Sequence, residues 1–528
     1  MFKRISDKFQ TWLSQQRIAR TAGAVAQRSN PSSDSRPVVF FNASARLGHL
    51  SQNAAFSLLA AWGLRLADLR VVHFVCERGM SRCVLGTNPD DPGQPPPCAA
   101  CVGQSKRLYA RAEVQWFNYS EETELNKQVA VLDVPAMERF VYQGEALGEV
   151  VTPSLRWTLR RHHLVDDEAT RFLFREYILS AYSVGREFEK FLDRINPQAV
   201  VLFNGIMYPE AIARRLAQRR GARVITHEVG LRPFSAFFTD GQATAYPMEI
   251  PADFQLSEEQ DKLLDEYLGE RFQGQFTMAG IRFWPKMQEL DERFLQKTTD
   301  FKRIVPVFTN VIFDTSQVHA NTIFSDMFAW LDEVLGLIKA HADTLFVIRA
   351  HPDEMRPGTR KKSRETVRQW VIDSKINDLT NVIFVDSDEY LSSYALIQRA
   401  HFVMVYNSSI GLEASIMSKP VLAAGAGRYT QYQTVYFPAS ADGYLQKAKD
   451  FLNADTVDQP VEFVQEARRV LYFQLFRTAL PFEDYLTSHN RMGYVHVNDF
   501  TVESLTPENS VAIRAIYDGV VNGKPFLV

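Results

Sequence analysis

No run of about eighteen uninterrupted apolar residues occurs in the chain, so no segment reads as a membrane-spanning helix. The best candidate, Ala54 to Leu69, is short and carries Arg65. An excess of either charge is also missing. Lysine plus arginine number 59 against 62 aspartate plus glutamate, a formal net charge of −3. Nucleic-acid binders normally show a basic domain or stripe, and this balance sets that class of partner aside. Internal repeats of about 20–50 residues and low-complexity tracts are absent too, which excludes solenoids and propellers. The chemistry is not expected to require a divalent metal. Cysteine is scarce: four residues, all between positions 76 and 101.

What is present is ordinary for a soluble globular protein, with 46% hydrophobic and 23% charged residues. A length of 528 residues exceeds one hydrophobic core and suggests roughly two to four domains. The first residues, MFKRISDKFQTWLSQQRIAR, have charges throughout and do not resemble a secretory leader. They read as a basic amphipathic helix, with Phe2, Ile5, Phe9, Trp12 and Leu13 against Lys3, Arg4, Lys8 and Arg17. Such a helix either touches anionic lipid through residues 1–28 or packs on its own protein. The expected location is the cytoplasm, with the inner face of the membrane as the site of any lipid contact.

A polar linker, Gln27 to Arg36, is followed by PVVFFNAS, then Gly48-His49, a helical pattern from Gln52 to Leu66, and LRVVHFVC. The alternation resumes with AVVLF at 199–203, a helix from Tyr208, and Arg223–Thr226. After a charged helical stretch it restarts at IVPVF and continues through TLFVIRA, NVIFV, HFVMVY and PVLAA. Strands alternating with helices argue for α/β units with parallel sheets. The expected organisation is an N-terminal helix and linker (1–36), then a Rossmann-like acceptor domain (37–270) with a Cys-rich insert (76–101). A connection (271–300), a Rossmann-like donor domain (301–470) and a C-terminal helical segment (471–528) follow.

Parallel sheets place working loops at the carboxyl ends of their strands. In the second unit Arg349-Ala350-His351-Pro352 ends one strand, and Tyr406-Asn407-Ser408-Ser409-Ile410-Gly411-Leu412-Glu413 ends another and opens a helix. Small hydroxyl residues and a glycine there offer donors to an anion, and a nearby imidazole can donate to the same phosphate. The two segments are expected on consecutive strand ends, with Glu413 one turn into the helix and within reach of a ribose. Thr309-Asn310, Asp314 and Arg428 are further donor-side candidates. In the first unit, Glu228 and His49 follow strands and compete for the role of base.

These motifs, in order, resemble the His-Pro and Ser-Ser/Thr segments of bacterial sialyltransferases and of the capsule polysaccharide biosynthesis (Kdo transferase) family. The segment His227-Glu228-Val229-Gly230-Leu231-Arg232-Pro233 resembles the capsule family's acidic-x-Gly-x-Arg-Pro stretch, with Val229 where sialyltransferases carry a second acid. The resemblance covers roughly residues 195–250 and 300–430. It implies two Rossmann-like domains facing across a cleft (GT-B-like). It further implies that His351 and Ser408/Ser409 hold the phosphate of a CMP-sugar and that Glu228 deprotonates the acceptor. The implied partners are a nucleotide sugar and a glycan or glycolipid acceptor. Two other functions stay open: a CDP-polyol phosphotransferase of the teichoic-acid type, and a non-catalytic glycan- or nucleotide-binding member of a capsule assembly complex.

Cys76, Cys83, Cys98 and Cys101 are spaced C-x6-C-x14-C-x2-C in a Pro/Gly-rich insert. This spacing suits a structural zinc site. An iron–sulfur cluster, free thiols and disulfides are the alternatives.

Overall fold

In the computed structural model, which describes residues 2–32, 34–43, 49–273, 288–355 and 362–528, the apolar runs become strands. The first half forms β1 (Val38–Asn42), β2 (Leu50–Ser51), β3 (Val71–Cys76), β4 (Glu113–Phe117), β5 (Ala199–Phe203), β6 (Arg223–Val229) and β7 (Ser235–Asp240). The second half forms β8 (Arg303–Phe308), β9 (Thr344–Arg349), β10 (Val382–Val385), β11 (Val403–Val405) and β12 (Val421–Ala423). The last residues add β13 (Leu480–Pro481), β14 (Leu486–Ser488) and β15 (Tyr494–Val497).

The first sheet runs β13-β7-β6-β5-β1-β3-β4. From β6 to β4 it is parallel; β7 and β13 extend it antiparallel at one edge. Numbered among themselves, the parallel strands lie in the order 3-2-1-4-5, the doubly wound arrangement. The second sheet, β10-β9-β8-β11-β12, is parallel throughout and repeats that order. Helices cover both faces, which is why these strands read as continuous apolar runs instead of alternating patterns. Val38–Phe41 and all of β9 are buried. The direction in which successive strands are added reverses between β1 and β5 in one sheet and between β8 and β11 in the other, and crevices open at such points.

The N-terminal helix, Phe2–Arg28, docks on the first unit. Ile18, Ala22 and Val25 are buried, and the Ser14 hydroxyl accepts from the Val497 amide at 2.9 Å. Its outer side leaves Phe9 and Trp12 55% and 52% exposed, with rings stacked 6.0 Å apart.

The C-terminal segment departs from the helical expectation. A π-helical turn, Phe473–Arg477, closes the helix Val461–Tyr472, and the chain returns to the first unit. There β13 pairs with β7, and β14 and β15 build a three-stranded sheet with β2. The closing helix, Val511–Asn522, lies against the helix Gln52–Leu66 at Gly63, where an added Cβ would sit 2.5 Å from Ile513 Cγ2. The C-terminal end of the chain therefore ties the second unit back to the first, beside the N-terminal helix. Of the connection at 271–300, residues 274–287 lie outside the described set, and a helix at Glu292–Thr298 precedes β8.

Candidate active site

A cavity of about 400 Å³ lies between the units, lined by Asn53, Asn204 and Glu228 on one side and Asp314 and Arg428 on the other. Glu228 reaches it from the end of β6. Its carboxylate accepts from the Asn53 side-chain amide at 3.0 Å and the Val229 amide at 2.9 Å, with Asn204 Nδ2 at a longer 3.5 Å. Asn204 sits at φ 39°, a left-handed conformation that Asn tolerates through its short polar side chain, whose Oδ1 accepts from the Ile206 amide at 2.9 Å. Burial pushes the Glu228 carboxyl above its ordinary range; the three donors and the Arg428 charge oppose that rise without cancelling it. A carboxyl tuned upward, held in one orientation and facing a cavity is suited to accept a proton. Arg428 comes from the loop after β12 and stacks 4.2 Å over the Tyr246 ring of the first unit, so it brings a cation to the same cleft.

At the second sheet's edge, His351 follows β9, Asn310 follows β8 and Ser408 follows β11. The strand order sets β8 between the other two, so His351 and Ser408 are not on consecutive strand ends as the sequence suggested. One intervening strand separates them by roughly 10 Å at the spacing of neighbouring strands. His351 Nδ1 accepts from the Asp353 amide at 3.1 Å, capping the turn Pro352–Glu354. That leaves the ring proton on Nε2, as a donor. Ser409 stands at the N-cap of Ile410–Ile416, yet its side chain makes no capping bond. The Asn310 amide bridges to Asn407 Oδ1 at 2.6 Å. His351, Ser408 and Ser409 do not line the cavity that holds Glu228.

Several expected donor residues are occupied elsewhere. Glu413 is buried and bound by Arg271 and Tyr394, each at 2.5 Å, so it anchors its helix and does not meet a ribose. Arg349 is buried and donates to the Asp386 carbonyl at 2.7 Å; burial brings its pKa down to about 10. The Thr309 hydroxyl is buried and donates to the Arg349 carbonyl at 3.0 Å. Gly411 is required by packing, since a Cβ would lie 2.3 Å from the Tyr429 hydroxyl. The His49 ring packs at a tilt against His489, centroids 4.4 Å apart, and edge-to-face against Tyr494 at 5.5 Å, which ties it to the returning C-terminal hairpin. Its neighbour Gly48 lies outside the described residues. Sequence reasoning missed Asn53. The available signal was a second polar residue beyond the N-cap, Ser51, of the first crossover helix.

The four cysteines face one small cavity of about 20 Å³, enough for a single ion or water. Cys98 and Cys101 come from the first turn of the helix Cys98–Leu108, Cys76 from the end of β3, and Cys83 from the insert. The Gly79 amide donates to Cys76 Sγ at 3.1 Å. Burial pushes the Cys76 and Cys83 thiols up to about 12, so each stays protonated unless a cation replaces the proton. The sulfurs are not drawn into the tight cluster that a bound ion enforces.

Two doubly wound units with their strand ends turned to one cleft define a GT-B-like α/β protein. Residues 272–432 match the family model of the capsule polysaccharide biosynthesis protein. No curated protein matches the sequence. Among similar solved structures is KpsC, a beta Kdo 2,4 transferase of Thermosulfurimonas dismutans. It is 10% identical, with a TM-score of 0.35, over 58% of this chain and 87% of that one. A UDP-GlcNAc 2-epimerase from Neisseria meningitidis is 12% identical with a TM-score of 0.25, over 83% and 98%. Sucrose-phosphate synthase from Thermosynechococcus elongatus is 10% identical with a TM-score of 0.28, over 84% and 94%.

Proposed function

We propose that this protein is a glycosyltransferase that moves a sugar from a nucleotide-activated donor, CMP-linked, to a growing surface polysaccharide or glycolipid. The observation that carries the reading is the Glu228 carboxyl, oriented by Asn53 and raised by burial, facing Arg428 across the inter-unit cavity. Glycosyl transfer to a hydroxyl needs a base on the acceptor and charge stabilisation on the departing phosphate. Glu228 takes the acceptor proton. Arg428 supplies positive charge on the donor side of the cleft, and His351 Nε2–H with the Ser408 and Ser409 hydroxyls supplies neutral donors at the strand ends. The match of residues 272–432 to the capsule polysaccharide biosynthesis family model supports the polysaccharide acceptor. Calorimetric titration with CMP, CDP, UDP and GDP tests the donor assignment: CMP binds most tightly if it is correct, and preference for UDP or GDP rejects it.

We further infer that Cys76, Cys83, Cys98 and Cys101 hold a structural zinc, which the shared ion-sized cavity and the Gly79 amide on Cys76 support. Ligation requires the four sulfurs to draw together, and its role is to order the insert. The outward Phe9 and Trp12 on the docked basic helix support contact with the inner face of the membrane.

A further inference from the structure

We propose that His162, His163 and Asp326 form a divalent-metal site of the zinc type that fastens the two units together. His162 and His163 follow the helix Leu147–Leu159 of the first unit, whereas Asp326 opens the helix Met327–Ala340 of the second. One ligand atom from each lies within 4.8 Å of the others. Asp326 Oδ1 is committed to its helix, accepting from the Phe328 and Ala329 amides at 2.8 and 3.1 Å. Its Oδ2 stands 3.4 Å from His163 Nε2. That separation is long for an N–H···O bond, which prefers about 2.7–3.2 Å. It matches the edge, about 3.3 Å, between two ligands bound at about 2.0–2.1 Å to a tetrahedral ion.

The surroundings fit the same chemistry. Glu365 bonds His163 Nδ1, and its other oxygen accepts from the His162 and His163 amides at 2.8 and 3.2 Å. Metal-bound histidines characteristically give their second nitrogen to a carboxylate, which fixes the ring and raises its basicity. His162 is buried at the junction of the two units. His163 is 57% exposed, which provides an entry path and leaves a fourth position to water. Two carboxylates then balance the charge of the ion. His162 also lines a second inter-unit cavity of about 490 Å³, beside Arg156 and Asp314. The proposal does not depend on the glycosyltransferase reading.

The test is titration of the chelator-treated full chain with Co²⁺ and then Zn²⁺, in the wild type, His163→Ala and Asp326→Asn. The asparagine oxygen still caps the helix, and circular dichroism verifies that both variants are folded. The expected result is one Co²⁺ with a tetrahedral nitrogen/oxygen d–d spectrum and no thiolate charge-transfer band, lost in both variants. Zn²⁺ should raise the wild-type melting midpoint more than that of either variant. Any cysteine-bound cobalt is recognised by its thiolate band and persists in the variants. Binding of thiolate type alone, or spectra and midpoint shifts equal in all three proteins, overturns the proposal.

Discussion

Asn53 donates its side-chain amide to Glu228 Oε1 at 3.0 Å, linking the start of the first crossover helix to the end of β6. This bond favours the ionised carboxylate and fixes its direction. Replacing Asn53 with Ala removes a donor to the charged form, so the Glu228 pKa rises further. The activity limb on the acid side, where turnover falls as Glu228 takes up a proton, should move to higher pH, with turnover down about tenfold and nucleotide affinity unchanged. A pH–rate profile identical to that of the wild type removes Asn53 from the mechanism.

On the donor side, His351→Ala removes the Nε2–H donor and Arg428→Ala removes the cation facing Glu228. Both should weaken nucleotide binding and turnover together, with Arg428→Ala costing more because a charge-assisted bond is lost. Calorimetry with the bound nucleotide reads this directly. If His351→Ala binds every nucleotide as the wild type does, its strand end is not part of the donor site.

Stability should depend on pH through Glu354, which is fully buried and accepts from the Val367 amide at 3.2 Å. Burial pushes its carboxyl up to about 8 from an ordinary 4.5. A raised folded-state value means that the native protein holds the proton more tightly than the unfolded chain. This contribution is therefore complete below about pH 4.5 and is lost as pH rises toward 8, by a few kcal/mol at most. Glu354→Gln keeps an acceptor without the titration. Its melting midpoint should gain on the wild type between pH 5 and pH 8, and parallel curves would show that Glu354 does not titrate in that window.

For the cysteine cavity, metal analysis of purified protein should find zinc that a Cys98→Ser/Cys101→Ser variant lacks. Equal metal content in the two proteins contradicts the thiolate site.

The helix Gln52–Leu66 and the strand runs AVVLF, TLFVIRA and HFVMVY were legible because buried parallel strands and amphipathic helices write their periods into the sequence. Strand order is not written there, and so β8 between His351 and Ser408 could not be read. Asn53 lies 175 residues from Glu228, and Arg271 142 residues from Glu413, beyond any local pattern. The short strands β13 to β15 contain too few residues to show a period, and they turned an expected helical tail into part of the first unit. Glu413 and Arg349 misled for a related reason: a charge in a helix's first turn or at a strand end looks the same whether it meets a ligand or a buried partner.

The most direct test of the central claim is single-turnover transfer by Glu228→Gln, measured beside nucleotide affinity in the same preparation. Gln preserves the shape and can still accept from Asn53, but it cannot take the acceptor proton. The account predicts wild-type nucleotide affinity and a transfer rate lower by about 10²-fold or more. Transfer at the wild-type rate would contradict it.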